Sequence, residues 1–262
     1  MTTLETLKER YADVRAKVAA AARRGGREPA DVVIIAVSKY GGVDDIRELM
    51  SLGLRDFGEN QVQQLMQRAA MIAEWQARQK TLAHHGSDPA ARWHMVGHLQ
   101  RNKVRKAVEL SRLIHSIDSL RLAEEIQAVA IKREEPVEVL LQVNTSGEAS
   151  KFGCAVGAAI HLAEQLDSMV NVRLRGLMTL GPITDDPEQS RTAFARLREV
   201  YGDIAKAGIG KGYFNLLSMG MSGDYELAIA EGSNVVRIGS AIFGERAANA
   251  DGSTDDREPP EA

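Results

Sequence analysis

Val32-Val33-Ile34-Ile35-Ala36-Val37-Ser38-Lys39 is seven uncharged residues, mostly β-branched, running straight into a lysine. A run of this length and composition reads as a strand buried on both faces, as in a parallel sheet. Tyr40-Gly41-Gly42 breaks it before the next helical pattern starts. Lys39 thus stands where a strand leaves the core, the end at which α/β folds place their sites. By default such a lysine is a solvated strand end. Its sharper alternative is a desolvated, reactive amine that forms a Schiff base.

Outward from this stretch the chain alternates. Strands are expected at 32–39, 54–60, 93–98, 113–118, 137–144, 174–178, 214–218 and 235–239, with helical patterns between them. Eight βα units in roughly 220 residues match a (β/α)8 barrel. A doubly wound open sheet would also alternate, but no G-x-G-x-x-G follows the first strand and no Walker loop occurs. The fold expected is therefore a single (β/α)8 TIM-type barrel over residues 1–245, with an extra N-terminal helix. In that helix Leu4, Leu7, Tyr11, Val14 and Val18 recur at helical spacing, and Thr2 with Glu5 forms a capping-box pattern. It reads as an outer brace or an interface element. Residues 76–91 are polar and rich in turn formers, hence a surface excursion.

Composition narrows the function classes. With 44% apolar and 26% charged residues the chain is an ordinary globular protein. Its net charge of -3 argues against a dedicated nucleic-acid binder. Five acidic residues stand against Arg257 in 247–262, so the body is nearly neutral, and 246–262 reads as a disordered acidic tail. One cysteine, Cys154, forms no internal disulfide and fits the cytoplasm; no signal peptide or membrane-spanning run is visible. Six histidines invite a metal, but His94 and His98 on one strand lie ~13 Å apart at ~3.3 Å per residue, too far to share an ion. No metal site is expected.

The strand ends carry the chemistry. Lys39, Glu59-Asn60, His98, Asp118, Asn144, Thr179, Ser218 and Arg237-Gly239-Ser240 would converge on one barrel mouth. Ser218-Met219-Gly220-Met221-Ser222-Gly223 and Arg237-Ile238-Gly239-Ser240-Ala241 leave the last two strands on small residues. Loops in these positions are the usual phosphate cradle of the fold. A strand-end amine and a phosphate cradle together fit pyridoxal 5'-phosphate (PLP), whose ring nitrogen also needs a partner. Arg237 is placed to be that partner, and its lasting charge would disfavour ring protonation.

On these stretches, with Phe57-Gly58-Glu59-Asn60-Gln61, Trp93-His94-Met95-Val96-Gly97-His98, Gln142-Val143-Asn144 and Arg175-Gly176-Leu177-Met178, the sequence resembles the PLP homeostasis protein family (YggS/PROSC). Members are single-domain relatives of the alanine racemase barrel. The resemblance implies PLP held as an internal aldimine on Lys39, its phosphate at Ser218, Gly239 and Ser240, and its ring nitrogen facing Arg237. It also places Asn60, Met219 and Met221 around the cofactor. Tyr40-Gly41-Gly42 departs from the small polar run usual after the lysine, and 76–91 is longer than usual.

Two functions stay open at this level. One is a non-catalytic PLP carrier, a monomer or weak homodimer that serves PLP-dependent apoenzymes. The other is a PLP enzyme such as an amino-acid racemase, which needs two opposed proton-transfer groups. In the racemases the second group is a tyrosine from a second β domain. That domain is not expected here, since only a short polar stretch follows residue 244. The carrier reading is favoured, with Tyr40, Tyr213 and Tyr225 as the remaining conceivable acids.

Overall fold

The computed structural model describes residues 3–82, 89–148 and 150–244. Strand β1 (Val33–Val37) is followed by β2 (Asp56–Glu59), β3 (Arg92–Met95), β4 (Leu113–Ile117) and β5 (Val137–Asn144). A two-residue strand β6 (Cys154–Ala155) comes next, then β7 (Val172–Met178), β8 (Leu216–Ser218) and β9 (Val235–Ile238). Every pairing is parallel, β9 pairs with β1, and β4 pairs with β5. Eight strands therefore close into a barrel, and β6 hangs on β5 outside the ring. The expected (β/α)8 architecture is the one observed.

Helices cover the outside: α1 (Thr3–Arg24), α2 (Val43–Ser51), α3 (Val62–Leu82), α4 (Val104–Leu110) and α5 (Leu120–Ala130). They continue with α6 (Ala159–Asp167), α7 (Pro187–Lys206), α8 (Tyr225–Ala230) and the single turn α9 (Ser240–Phe243). Period-2 alternation sorts each strand into two faces. Ala36, Phe57, Trp93, Met95, Leu177, Val236 and Ile238 join the helices in one apolar layer. The opposite set includes Asp56, His94, His115, Ser218 and Arg237, all buried, so the inside of this barrel holds a polar stripe. The apolar filling beside it comes from Leu113, Leu140 and Met178.

Helix α1 is a brace. Leu7, Val14 and Val18 are buried along it, and Arg10 donates to the Ile242 and Phe243 carbonyls at 2.8 and 3.2 Å. Those are the last carbonyls of α9, which a cation suits. The expected cap at Thr2 and the acidic segment from residue 245 onward lie outside the described residues.

Three sequence expectations change. Of the excursion expected at 76–91, residues 76–82 are the last two turns of α3, not a loop, and 83–88 lie outside the described residues. Glutamine, arginine and lysine are good helix formers whose polarity imitates a loop when one helix end is solvated. Glu74 and Arg78 pair across one turn there, and Gln76 ties the returning chain through Pro89 and Ala91. Strand β1 ends at Val37, which puts Lys39 in a 3-10 turn (Ser38–Tyr40) just beyond it. Strand β3 ends at Met95, so His98 lies past the sheet rather than on it.

Candidate functional site

The turn bearing Lys39 is clamped from below. The Ser38 hydroxyl donates to the Glu59 carboxylate at the end of β2, and Arg68 of α3 donates to the same oxygen. A second Arg68 nitrogen reaches the Gly41 carbonyl at 3.0 Å. Gly41 is required because a Cβ there would lie 2.3 Å from the Phe243 ring. The lysine's turn is thereby packed against α9, the element that follows the last strand. Lys39 itself is exposed, with Nζ 4.5 Å from the centre of the Tyr40 ring.

Glu59 is fully buried and its Oε2 has no hydrogen-bond partner. Burial pushes its carboxyl above the usual range, and the Ser38 hydrogen bond and Arg68 charge only partly pull it back. A folded state that binds a proton more tightly than the unfolded one loses stability as pH rises from the unfolded value of 4.5 through the raised folded value. Glu59→Gln should therefore flatten the fall in stability over that acid interval. Urea melts at a series of pH values check this, and an unchanged slope would count against the buried acid.

Beside this turn, the loops after β8 and β9 meet. Ser222 Oγ accepts from the backbone N–H groups of Gly239 and Ala241, each at 3.2 Å. Two main-chain donors converging on one oxygen are what an anionic oxygen requires. Asp224 orders the same loop by accepting from the Met221 N–H at 2.6 Å. Ser240 is half-buried at the first position of α9, and Met221 is 37% exposed at the rim.

Arg237 is buried, donating to Ser218 Oγ at 2.6 Å and to the Thr179 carbonyl at 2.7 Å. Burial brings its guanidinium down to about 10, with Asp224 opposing the shift, so it remains a cation at neutral pH. Ser218 Oγ is also 3.1 Å from His115 Nδ1. His115 Nε2 lies 3.1 Å from His94 Nδ1, and His94 Nε2 lies 3.0 Å from Asp56 Oδ1. Asp56 closes the series in a two-point pair with Arg92, at 2.9 and 2.5 Å. Its burial pushes the carboxyl up, but hydrogen bonds from His94 and Arg92 outweigh that and hold it below the usual range. His115, wholly enclosed, is pushed well below the ordinary histidine value by desolvation, and so is neutral.

Of the residues expected at the site, Gly239, Ser240 and Met221 surround the cradle, and Lys39 lies in a turn packed on α9. Asn60 is half-buried directly after β2, and Met219 is enclosed in the apolar core. Ser218 and Arg237 sit deeper, inside the barrel, with the Ser218 hydroxyl held between Arg237 and His115. Thr179, expected as a strand end at the mouth, holds Arg237 through its carbonyl, whereas Ser222, His115 and His94 were not singled out as site residues. A hydroxyl within the glycine-rich loop was the available signal for Ser222. His115, in the strand Leu113-Ile114-His115-Ser116-Ile117, reads as core until the inward face is known.

Other candidates have local explanations. Asn144 organises the loop after β5, donating to the Glu148 and Lys151 carbonyls at 2.9 and 3.1 Å. His98 stacks on Phe152 at 3.9 Å. On α4, Lys106 pairs with Glu109 at 2.9 Å. Burial pushes the Cys154 thiol up to about 11, which makes it a poor nucleophile at neutral pH.

Comparison with known proteins is consistent in fold and length. The family model for the alanine racemase N-terminal domain matches residues 10–247. The pyridoxal phosphate homeostasis protein of Pseudomonas aeruginosa is 40% identical over 243 residues, covering 93% of this chain and 97% of that protein. A crystal structure of an unknown protein from Bifidobacterium adolescentis superposes with a TM-score of 0.84 at 37% identity, covering 92% of this chain and 96% of that one. PipY of Synechococcus elongatus with PLP bound gives a TM-score of 0.75 at 31% identity, covering 91% of this chain and all of that one.

Proposed function

The chain belongs to the pyridoxal phosphate homeostasis protein family, within the alanine racemase-like barrels, and on that premise we propose that it binds PLP at the barrel mouth and serves PLP homeostasis and delivery rather than catalysis. The observation that carries this reading is the Ser222 hydroxyl, held by the Gly239 and Ala241 N–H groups in the loops that meet after the last two strands. Two backbone N–H groups already converge on one oxygen there, so the donor set fits a phosphate.

In this reading the backbone N–H groups of Gly239 and Ala241 hold the phosphate, with Ser222 and Ser240 turning their hydroxyls to it as donors. Ser218 supports from behind, through Arg237, and Arg237 presents its charge to the ring nitrogen. Asn60, Met219 and Met221 shape the walls. When bound, PLP supplies an aldehyde that condenses reversibly with an amine, and Lys39 Nζ is the amine the mouth offers. Ser222→Ala should weaken PLP binding about three- to tenfold while leaving pyridoxal, which lacks the phosphate, unaffected. Fluorescence titration with both compounds measures this, and equal loss for the two would contradict the phosphate assignment.

The carrier role is supported by where the tyrosines lie. A racemase needs a second proton-transfer group opposite the lysine. Tyr40 shares the lysine's own turn, and Tyr11 and Tyr225 pack into the core. Tyr201 bonds the Phe214 carbonyl at 3.1 Å, and Tyr213 lies under Arg173 with its carbonyl held by Arg175. None faces Lys39. Arg237, cationic beside the ring, also opposes the ring protonation that strong carbanion stabilisation calls for. Among the described residues no helix is long and apolar enough to cross a membrane. A cytoplasmic protein, monomeric or weakly dimeric, that passes PLP to apoenzymes fits these features. Incubating the PLP-loaded protein with L-amino acids in deuterated water is the test. The carrier reading expects no exchange of the α-proton beyond that of free PLP, and exchange at enzyme-like rates would overturn it.

A further inference from the structure

The polar stripe inside the barrel forms an unbroken series, Arg92–Asp56–His94–His115–Ser218–Arg237, running from the start of β2 and β3 to the end of β8. Its two ends fix its direction. Arg237 can only donate, and an ionised Asp56 can only accept. Ser218 therefore accepts from Arg237 and has one hydrogen left to give. Given to His115 Nδ1, that hydrogen leaves the neutral imidazole with its own on Nε2, pointing at His94 Nδ1. His94 then carries its hydrogen on Nε2, pointing at Asp56. Each interior contact gains one donor and one acceptor, and no buried group in the series is left unpaired. Hydroxyl, imidazole, imidazole and carboxylate are thereby aligned one way. A carboxylate selecting the tautomer of a histidine, which in turn orients a hydroxyl, is an established device in catalytic sites. Here the hydroxyl is turned onto an arginine.

We propose that Asp56, His94 and His115 form a one-way hydrogen-bond relay through the barrel interior that acts, through Ser218, to fix the donor face Arg237 turns toward the cofactor ring. They are positioning residues; none of the three reaches the mouth. The relay rests on the reading that Arg237 faces the ring nitrogen. Two of the five Arg237 donors are engaged inside the barrel, on Ser218 and on the Thr179 carbonyl, which leaves the guanidinium no freedom to swing. The hydrogen of Ser218 is spent on His115, so this hydroxyl presents only lone pairs toward Arg237. That explains why an expected phosphate ligand is occupied inside the barrel and why the cradle is served by Ser222.

The test has two readouts. Long-range 15N–1H correlation on histidine-labelled, cofactor-free protein reports each ring's tautomer directly. His94 and His115 should both be neutral and carry hydrogen on Nε2; hydrogen on Nδ1 of His115, or an imidazolium there, overturns the relay. This measurement needs neither a variant nor PLP, so it decides the matter even if substitutions at His115 fail to fold. The second readout links the relay to the ligand. His115→Leu should shift the visible absorbance of the bound cofactor and weaken PLP binding about tenfold, and His115→Gln, which keeps one donor and one acceptor, should restore most of both. Unchanged spectrum and affinity in a folded His115→Leu protein would overturn it as well. Wild-type protein that fails to bind PLP at all would instead remove the functional reading, and the tautomers would still be measured.

Discussion

Lys39→Ala should yield a folded protein that stays colourless when mixed with PLP and binds it at least about a hundredfold more weakly. Loss of a reversible covalent bond leaves only the phosphate and ring contacts, and each such contact contributes on the order of 1 kcal/mol. The fold should not notice the change. Lys39 lies in a turn outside the sheet, exposed, with the Tyr40 ring against its amine, and surface substitutions of this kind move stability by about 0.5 kcal/mol or less. The turn keeps its shape because its clamp belongs to neighbours: Ser38 on Glu59, and Arg68 on Glu59 and the Gly41 carbonyl. Absorbance titration with a parallel thermal melt reads both quantities. A variant with undiminished affinity would mean that the amine is a bystander.

Gly176→Ala should be the most damaging single methyl group in the chain. Gly176 pairs with Leu216 between β7 and β8 at φ +152°, and a Cβ there would lie 1.7 Å from the Leu216 carbonyl oxygen. Backbone stands against backbone, so no rotamer relieves the clash. β8 cannot retreat either, because its other edge is bonded to β9 and the ring is closed. A cost above about 4 kcal/mol is expected, a large share of the 5–15 kcal/mol typical of a whole domain. Two residues farther along β7, Met178 pairs with Ser218, so the distortion also reaches the base of the site. Gly202→Ala on α7, where an added Cβ meets nothing within 4 Å, is the matched control and should stabilise by roughly 0.5–1 kcal/mol. Denaturant melts of the pair check the contrast; similar midpoints would contradict it.

The barrel was legible because its strands are short apolar runs separated by helical periodicity, and neither signal depends on long-range contacts. Glycine and serine in the last two loops likewise announced free backbone N–H groups there, since backbone exposure is a local property, and two of those groups converge on Ser222 Oγ. What stayed hidden is what the closed ring creates. His115 and His94 occupy strands that read simply as buried, and only the parity of each strand within a closed barrel brings them into line between Asp56 and Ser218. Ser218 was expected to serve the phosphate because it ends a strand at the mouth, yet its hydroxyl turns inward. The end of α3 was read as a loop because its polar residues carry no periodic apolar face beyond Trp75.

Borohydride trapping decides whether Lys39 is the amine through which this chain holds PLP. PLP-loaded protein is reduced with borohydride, digested, and mapped for the reduced pyridoxyl adduct. The yellow absorbance should disappear, and a single labelled peptide should carry the adduct on Lys39. Protein that never becomes yellow, or a label on another lysine, would contradict it.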